Sequence, residues 1–189
     1  MAARDGTCER VARERQMTKQ LDLTKLDLMD ALDLAILIEQ EAMERYEELT
    51  AVMREHRTEE AASFFHFMAK AEAKHGADLL TERAKLFGRA TRRVDRSVLW
   101  DVEAPGYETV HDFMTLREAL KVAMDAEVKA YDYFDRALKL PLAPAVKKLF
   151  EELREDEIAH QDMVKKELAK APPDEAANPE DFADEPVAQ

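Results

Sequence analysis

Two copies of one unusual pattern constrain this chain more than anything else in it. Residues 39–46 read Glu-Gln-Glu-Ala-Met-Glu-Arg-Tyr, and residues 127–134 read Glu-Val-Lys-Ala-Tyr-Asp-Tyr-Phe. Each has a Glu, an Ala three later and an aromatic residue seven later, at an offset of 88. A second pair follows. Phe65, Met68, Glu72 and His75 recur as Phe150, Leu153, Glu157 and His160, at an offset of 85. The spacings of three, four and seven place each set on one face of a helix. The chain is therefore read as two related helical hairpins.

A register test supports that reading. In an antiparallel hairpin, residues at one level are equidistant from the turn. Position 57 lies midway between Glu39 and His75, inside an interruption at residues 56–58. The midpoint of Glu127 and His160 falls between Ala143 and Pro144, inside a Pro-bounded break at residues 141–144. At ~1.5 Å rise per residue, both Glu and Glu-x-x-His sets lie on the order of 25 Å from their turns.

Local signals frame four helices of roughly 25–30 residues. Thr24 or Asp27 is a cap for the first, and Thr58 starts the second. Gly88 stops the second helix. Thr115-Leu116-Arg117-Glu118 is a capping box for the third. The fourth runs from about Ala145 to Ala171, before Pro172 and Pro173. Apolar stripes accompany them: Leu32, Ala35, Ile36, Tyr46, Leu49 and Met53; then Phe64, Phe65, Met68, Leu79 and Leu86; then Leu120, Ala123 and Phe134; then Leu149, Phe150, Leu153 and Val164. Only four glycines occur, and Ala, Leu, Glu, Lys and Arg dominate, which favours helix. Residues 89–114 form a longer connection, with arginines at 89, 92, 93 and 96 and a Pro105-Gly106 turn. Its arginine cluster is read as a solvated loop, with the acidic tail or a partner as the other candidates for pairing.

Bulk properties exclude several classes. A net charge of −13 argues against nucleic acid, whose phosphates require clustered Lys and Arg. One cysteine, Cys8, makes no internal disulfide and no thiolate-ligated zinc or iron–sulfur module. No apolar run approaches the roughly 20 residues of a membrane span, and residues 1–20 have no signal-peptide apolar stretch. A cytoplasmic location follows by default. The domain expectation is an arm at residues 1–23 (mobile, or a short helix docking elsewhere), a helical domain at 24–171 and an acidic disordered tail at 172–189.

The chemistry follows from what the stripes contain. Glu39, Glu72, His75, Glu127, Glu157 and His160 all interrupt apolar faces. Four unpaired carboxylates in a core would protonate or defeat the fold. Two divalent cations cancel four carboxylate charges, and the i, i+3 spacing offers one ion both a Glu and a His from the same helix. Four carboxylates and two imidazoles without sulfur suit iron or manganese over copper(I) or structural zinc. Carboxylates can also bridge two ions held roughly 3.5–4 Å apart. Tyr46 is read as a hydroxyl beside the metals or as core filling. Glu108 and His111 have the Glu-x-x-His spacing but lie in the connection, and His56 and His66 are read as turn and surface or core histidines.

Glu, Glu-x-x-His, Glu, Glu-x-x-His on four successive helices resembles the ferritin-like superfamily of di-iron carboxylate proteins; the same rule is a general one for such bundles. The Glu-x-x-Ala-x-x-x-aromatic surroundings are most similar to its rubrerythrin branch, over residues 28–170. The resemblance implies an all-α antiparallel four-helix bundle of two hairpins joined by a longer crossover. It implies two iron ions per chain (manganese or a mixed pair being the alternatives) and a non-haem peroxidase reacting with peroxide or oxygen in oxidative-stress defence. It also implies a homodimer. Two departures qualify it. A single cysteine leaves no rubredoxin-like module, so electrons are expected from a separate donor protein or from ferrous iron. The family's extra Glu one turn after the third-helix ligand is here Ala130. Two other readings stay open: a ferroxidase or iron-storage protein, and a non-enzymatic helical module with structural metals.

Overall fold

The computed structural model describes residues 21–98 and 102–173. Four long helices carry it: α1 (Leu28–Glu55), α2 (Glu59–Phe87), α3 (Leu116–Ala137) and α4 (Pro144–Lys170). No strand occurs among the described residues. The first 20 residues of the expected arm, and the expected acidic tail from residue 174, lie outside them.

The helix ends follow side-chain chemistry. Asp27, not Thr24, caps α1: its Oδ1 accepts from the Asp30 N–H at 3.0 Å, and Asp30 Oδ2 accepts from the Asp27 N–H at 3.3 Å. Thr24 instead sits in a single 3-10 turn, Leu23–Lys25, capped by Asp22. Thr58 precedes α2 but makes no side-chain cap; its hydroxyl donates to the Met53 carbonyl at 3.0 Å and ties the turn to α1. Gly88 ends α2 at φ 58°, where a side chain would be strained. The Thr115–Glu118 capping box opens α3. Pro144 is the first residue of α4 rather than part of the break before it, since proline's fixed φ and missing N–H suit a first helical position.

α1 packs on α2 and α3 on α4, and α2–α3 and α1–α4 contacts close the bundle. Two apolar clusters set the directions. One groups Met53, Ala61 and Phe65 with Met114, Leu120 and Val164. The other groups Leu32, Ile36 and Leu79 with Phe134, Val146 and Phe150. The α1–α2 turn and the start of α3 therefore share one end, and α2 and α3 run the same way. The connection between them must travel the length of the bundle. This is the ferritin-like four-helix arrangement expected from the sequence. Each fully buried Leu or Phe contributes about 2 kcal/mol, and Phe134 against Phe150 (centroids 5.6 Å apart) exemplifies the packing.

Two departures from simple stripes are informative. Leu86, counted on the apolar side of α2, is exposed near the helix end. Conversely, every residue from Ala31 to Glu39 is buried, so the first half of α1 has no solvent face. The run Leu-Asp-Leu-Ala-Ile-Leu-Ile at residues 32–38 is apolar nearly all round, as such a position demands. The crossover covers it, with Val94 and Val102 joining the same cluster. The crossover arginines are exposed, as a solvated loop requires, but two of them pair with acids of α1. Arg93 pairs with Asp27 and, at 2.9 Å, with Asp30; Arg96 pairs with Glu44 at 3.2 Å. No helix among the described residues is long and apolar enough to cross a membrane.

Candidate metal centre

Between the two apolar clusters lies a polar layer. Glu39 on α1, Glu72 on α2, Glu127 on α3, and Glu157 and His160 on α4 are all buried there. Helical periodicity alone puts them there, because each lies one turn from residues that must be in the core. His75 is half-buried, and its ring stacks on His160 with centroids 4.8 Å apart.

The donor atoms converge. His160 Nδ1 lies 3.0 Å from Glu127 Oε2 and 3.9 Å from Glu72 Oε1. Glu72, His75 and His160 form one group whose donor atoms all lie within 4.8 Å of one another. Glu72, Glu127, His160 and a residue from the crossover, Glu103, form a second on the same limit. Glu39 lies against Glu72, and Glu157 against Glu127. The Tyr46 hydroxyl, buried, donates to Glu127 Oε1 at 3.3 Å. His56 and His111 stay away from the layer; His56 Nε2 lies 3.6 Å from Asp112 and His111 Nε2 lies 3.5 Å from Glu118.

The electrostatics of this layer are those of a cation site. Burial pushes the carboxyls of Glu39, Glu72 and Glu157 well above the usual carboxylate range, and the charge of Glu103 adds to each. Burial, then the neighbouring Glu127, raises Glu103 to about 8. Burial lowers His75. Burial opposes a charge on His160 too, but the Glu127 carboxylate outweighs it and holds the ring's pKa up. Oxygens of Glu39, Glu72, Glu103 and Glu157, both of them in Glu72 and Glu103, have no hydrogen-bond partner among the described residues. Buried carboxylate oxygens without donors, packed among like charges, are unfavourable unless they take up protons or cations fill the space between them. The residues present therefore fit a metal pair.

A cleft of about 260 Å³ between α2 and α4 reaches this layer from solvent. Glu39 and His75 of the layer line it, together with Lys74, Asp78, Glu82, Glu152 and Asp156. Sequence reasoning finds every helical member of the layer and passes over Glu103. A residue in an irregular connection has no periodicity to betray it. One signal exists: Glu72 and Glu127 share a level, and the midpoint of the chain between them falls at residues 99–100, close to Glu103.

The family model described as Rubrerythrin matches residues 30–168. No curated protein matches the chain. Among solved structures, an uncharacterised conserved protein from Magnetospirillum magnetotacticum is similar, with a TM-score of 0.62 at 27% identity, over 80% of this chain and 100% of its own.

Proposed function

This chain belongs to the rubrerythrin family of ferritin-like di-iron proteins, and from that premise we propose that it is a non-haem peroxidase that reduces peroxide, or oxygen, at an iron pair held by Glu39, Glu72, His75, Glu127, Glu157 and His160. The observation that carries this reading is the buried carboxylate layer, in which oxygens of Glu39, Glu72, Glu103 and Glu157 lack a donor among the described residues. A ferrous pair held by these six residues would supply the two electrons that, with two protons, convert peroxide to two waters. The chain's own residues do the rest. The carboxylates hold the ions and absorb the change of charge between oxidation states. His75 and His160 present ring nitrogens from facing helices. Tyr46 orients Glu127 through its hydroxyl. The apolar clusters above and below exclude water, and the α2–α4 cleft admits a small oxidant.

Cys8 is the single thiol of the chain, so re-reduction falls to a separate donor protein or to ferrous iron. Manganese, or a mixed pair, meets the same donor set. A homodimer in the cytoplasm is the setting we propose. The test is anaerobic loading with ferrous iron, a metal count per chain, and one equivalent of peroxide followed by near-ultraviolet absorbance. Two irons per chain oxidised rapidly and stoichiometrically is the expected result. A slow reaction of the diferrous protein rejects the peroxidase.

The mostly acidic cleft favours one second reading, a ferroxidase or iron-handling protein, because Glu82, Glu152 and Asp156 line it beside the Lys74–Asp78 pair and attract cations. That reading requires many ions per chain and a large assembly, which size-exclusion chromatography distinguishes from a dimer. Metal that binds but never changes oxidation state with peroxide indicates a structural role instead.

A further inference from the structure

We propose that Glu103, carried by the crossover and not by any helix of the bundle, is a fifth carboxylate ligand of the ion pair. The inference rests on the di-iron reading above and extends its ligand set.

Glu103 is 1% exposed, and both of its carboxylate oxygens lack a hydrogen-bond partner among the described residues. One of them belongs to the group with Glu72, Glu127 and His160, all within 4.8 Å of one another. An acidic side chain on a connection is normally solvated, since turning outward costs nothing. Here the backbone on either side prevents that. Val102, Ala104 and Pro105 are all buried. Lys129 of α3 donates to the Ala104 carbonyl at 2.6 Å, and Arg45 of α1 donates to the Pro105 carbonyl at 2.5 Å. The Arg45 guanidinium also lies over the Tyr107 ring, 3.6 Å from its centroid. Two cations from two helices thus clamp the segment and aim Glu103 inward. Lys129 and Arg45 are positioning residues for it.

On α3 the next buried position one turn after Glu127 is Ala130, which has no donor atom, so α3 itself offers no second carboxylate there. The added charge has a consequence. Five ionised carboxylates carry one negative charge more than two divalent ions cancel, and one less than two trivalent ions carry. The set therefore suits a pair that cycles between those states better than four carboxylates do.

The experiment is a cobalt(II) titration of the metal-stripped full chain, read by visible absorption and by competition with a chelator, in wild type, Glu103→Gln and Glu103→Asp. Glutamine matches the shape and removes the charge. Aspartate keeps the charge and withdraws the oxygens. Wild type is expected to take two cobalt ions. Both variants are expected to lose at least about tenfold in affinity for one ion, with an altered cobalt spectrum. Wild-type affinity and spectrum in Glu103→Gln overturns the proposal. So does loss confined to Glu103→Gln with Glu103→Asp unchanged, which makes Glu103 a nearby charge and not a ligand. Fewer than two cobalt ions in wild type itself removes the di-iron premise. Circular dichroism monitors folding; should the glutamine variant not fold, the aspartate variant decides alone.

Discussion

The buried ion pair between Asp33 of α1 and Arg83 of α2 anchors the start of the crossover and gives a sharp test of the packing. Asp33 has no exposed surface, and Arg83 has 6%. Arg83 Nε and Nη2 both donate to the Asp33 carboxylate, and Nη2 also donates to the Ala90 carbonyl at 3.1 Å. The Arg93 N–H donates to Asp33 Oδ2 at 3.3 Å. The pair thus ties two helices to the crossover residues just before the clamp on Glu103. In Arg83→Met the stem volume remains and the charge goes. Asp33 keeps the Arg93 N–H, and Arg92 Nε stands 3.8 Å away, too far to replace a bidentate partner. Removing one member of a buried pair costs about 3–5 kcal/mol, and the surviving partners place this case near the lower figure, about 3 kcal/mol. At roughly 2–4 °C per kcal/mol for a chain of this size, Tm falls by roughly 6–12 °C. The double variant Asp33→Leu/Arg83→Met removes the orphaned charge and is expected to recover at least half of the loss. Thermal and urea unfolding of the metal-stripped proteins measures both. A single variant within about 1 kcal/mol of wild type, or a double variant less stable than the single, refutes the reasoning.

Three further outcomes follow from the polar layer. In metal-stripped protein burial raises the folded-state pKa values of Glu39, Glu72, Glu103 and Glu157, that of Glu103 to about 8, so the native state binds more protons than the unfolded one above the ordinary carboxylate range. Stability is therefore fully present below the unfolded carboxylate pKa and lost as pH rises toward 8; Tm of the stripped protein should fall from pH 5 to pH 8, and a rise over that window contradicts the burial. Glu157→Gln should change sign with metal, stabilising the stripped protein by relieving like charges and destabilising the manganese-loaded one by about 1–3 kcal/mol; calorimetry in both states decides, and equal shifts count against ligation. Tyr46→Phe removes one hydrogen bond to Glu127, so it should cost about 1 kcal/mol in the stripped protein and roughly tenfold in metal affinity, measured by chelator competition; unchanged affinity makes Tyr46 core filling.

What the sequence determined by itself was the part governed by short-range periodicity. The doubled Glu and Glu-x-x-His patterns sit in apolar stripes, so helical geometry sends them inward, and the midpoint of each hairpin fixes their common level. Caps were legible where a side chain completes a backbone bond, as at Thr115, and ambiguous where two candidates stood close, as at Thr24 and Asp27. Only the tertiary structure decided the course of the crossover. Its residues have no repeating pattern, so nothing local assigns them to a face. Their positions come from long-range pairs: Arg93 with Asp27 and Asp30, Arg83 with the Ala90 carbonyl, Lys129 with the Ala104 carbonyl. Those pairs turned an arginine-rich loop into a strap over α1. They also placed Glu103, which no periodicity marks, among carboxylates that periodicity had marked from the start.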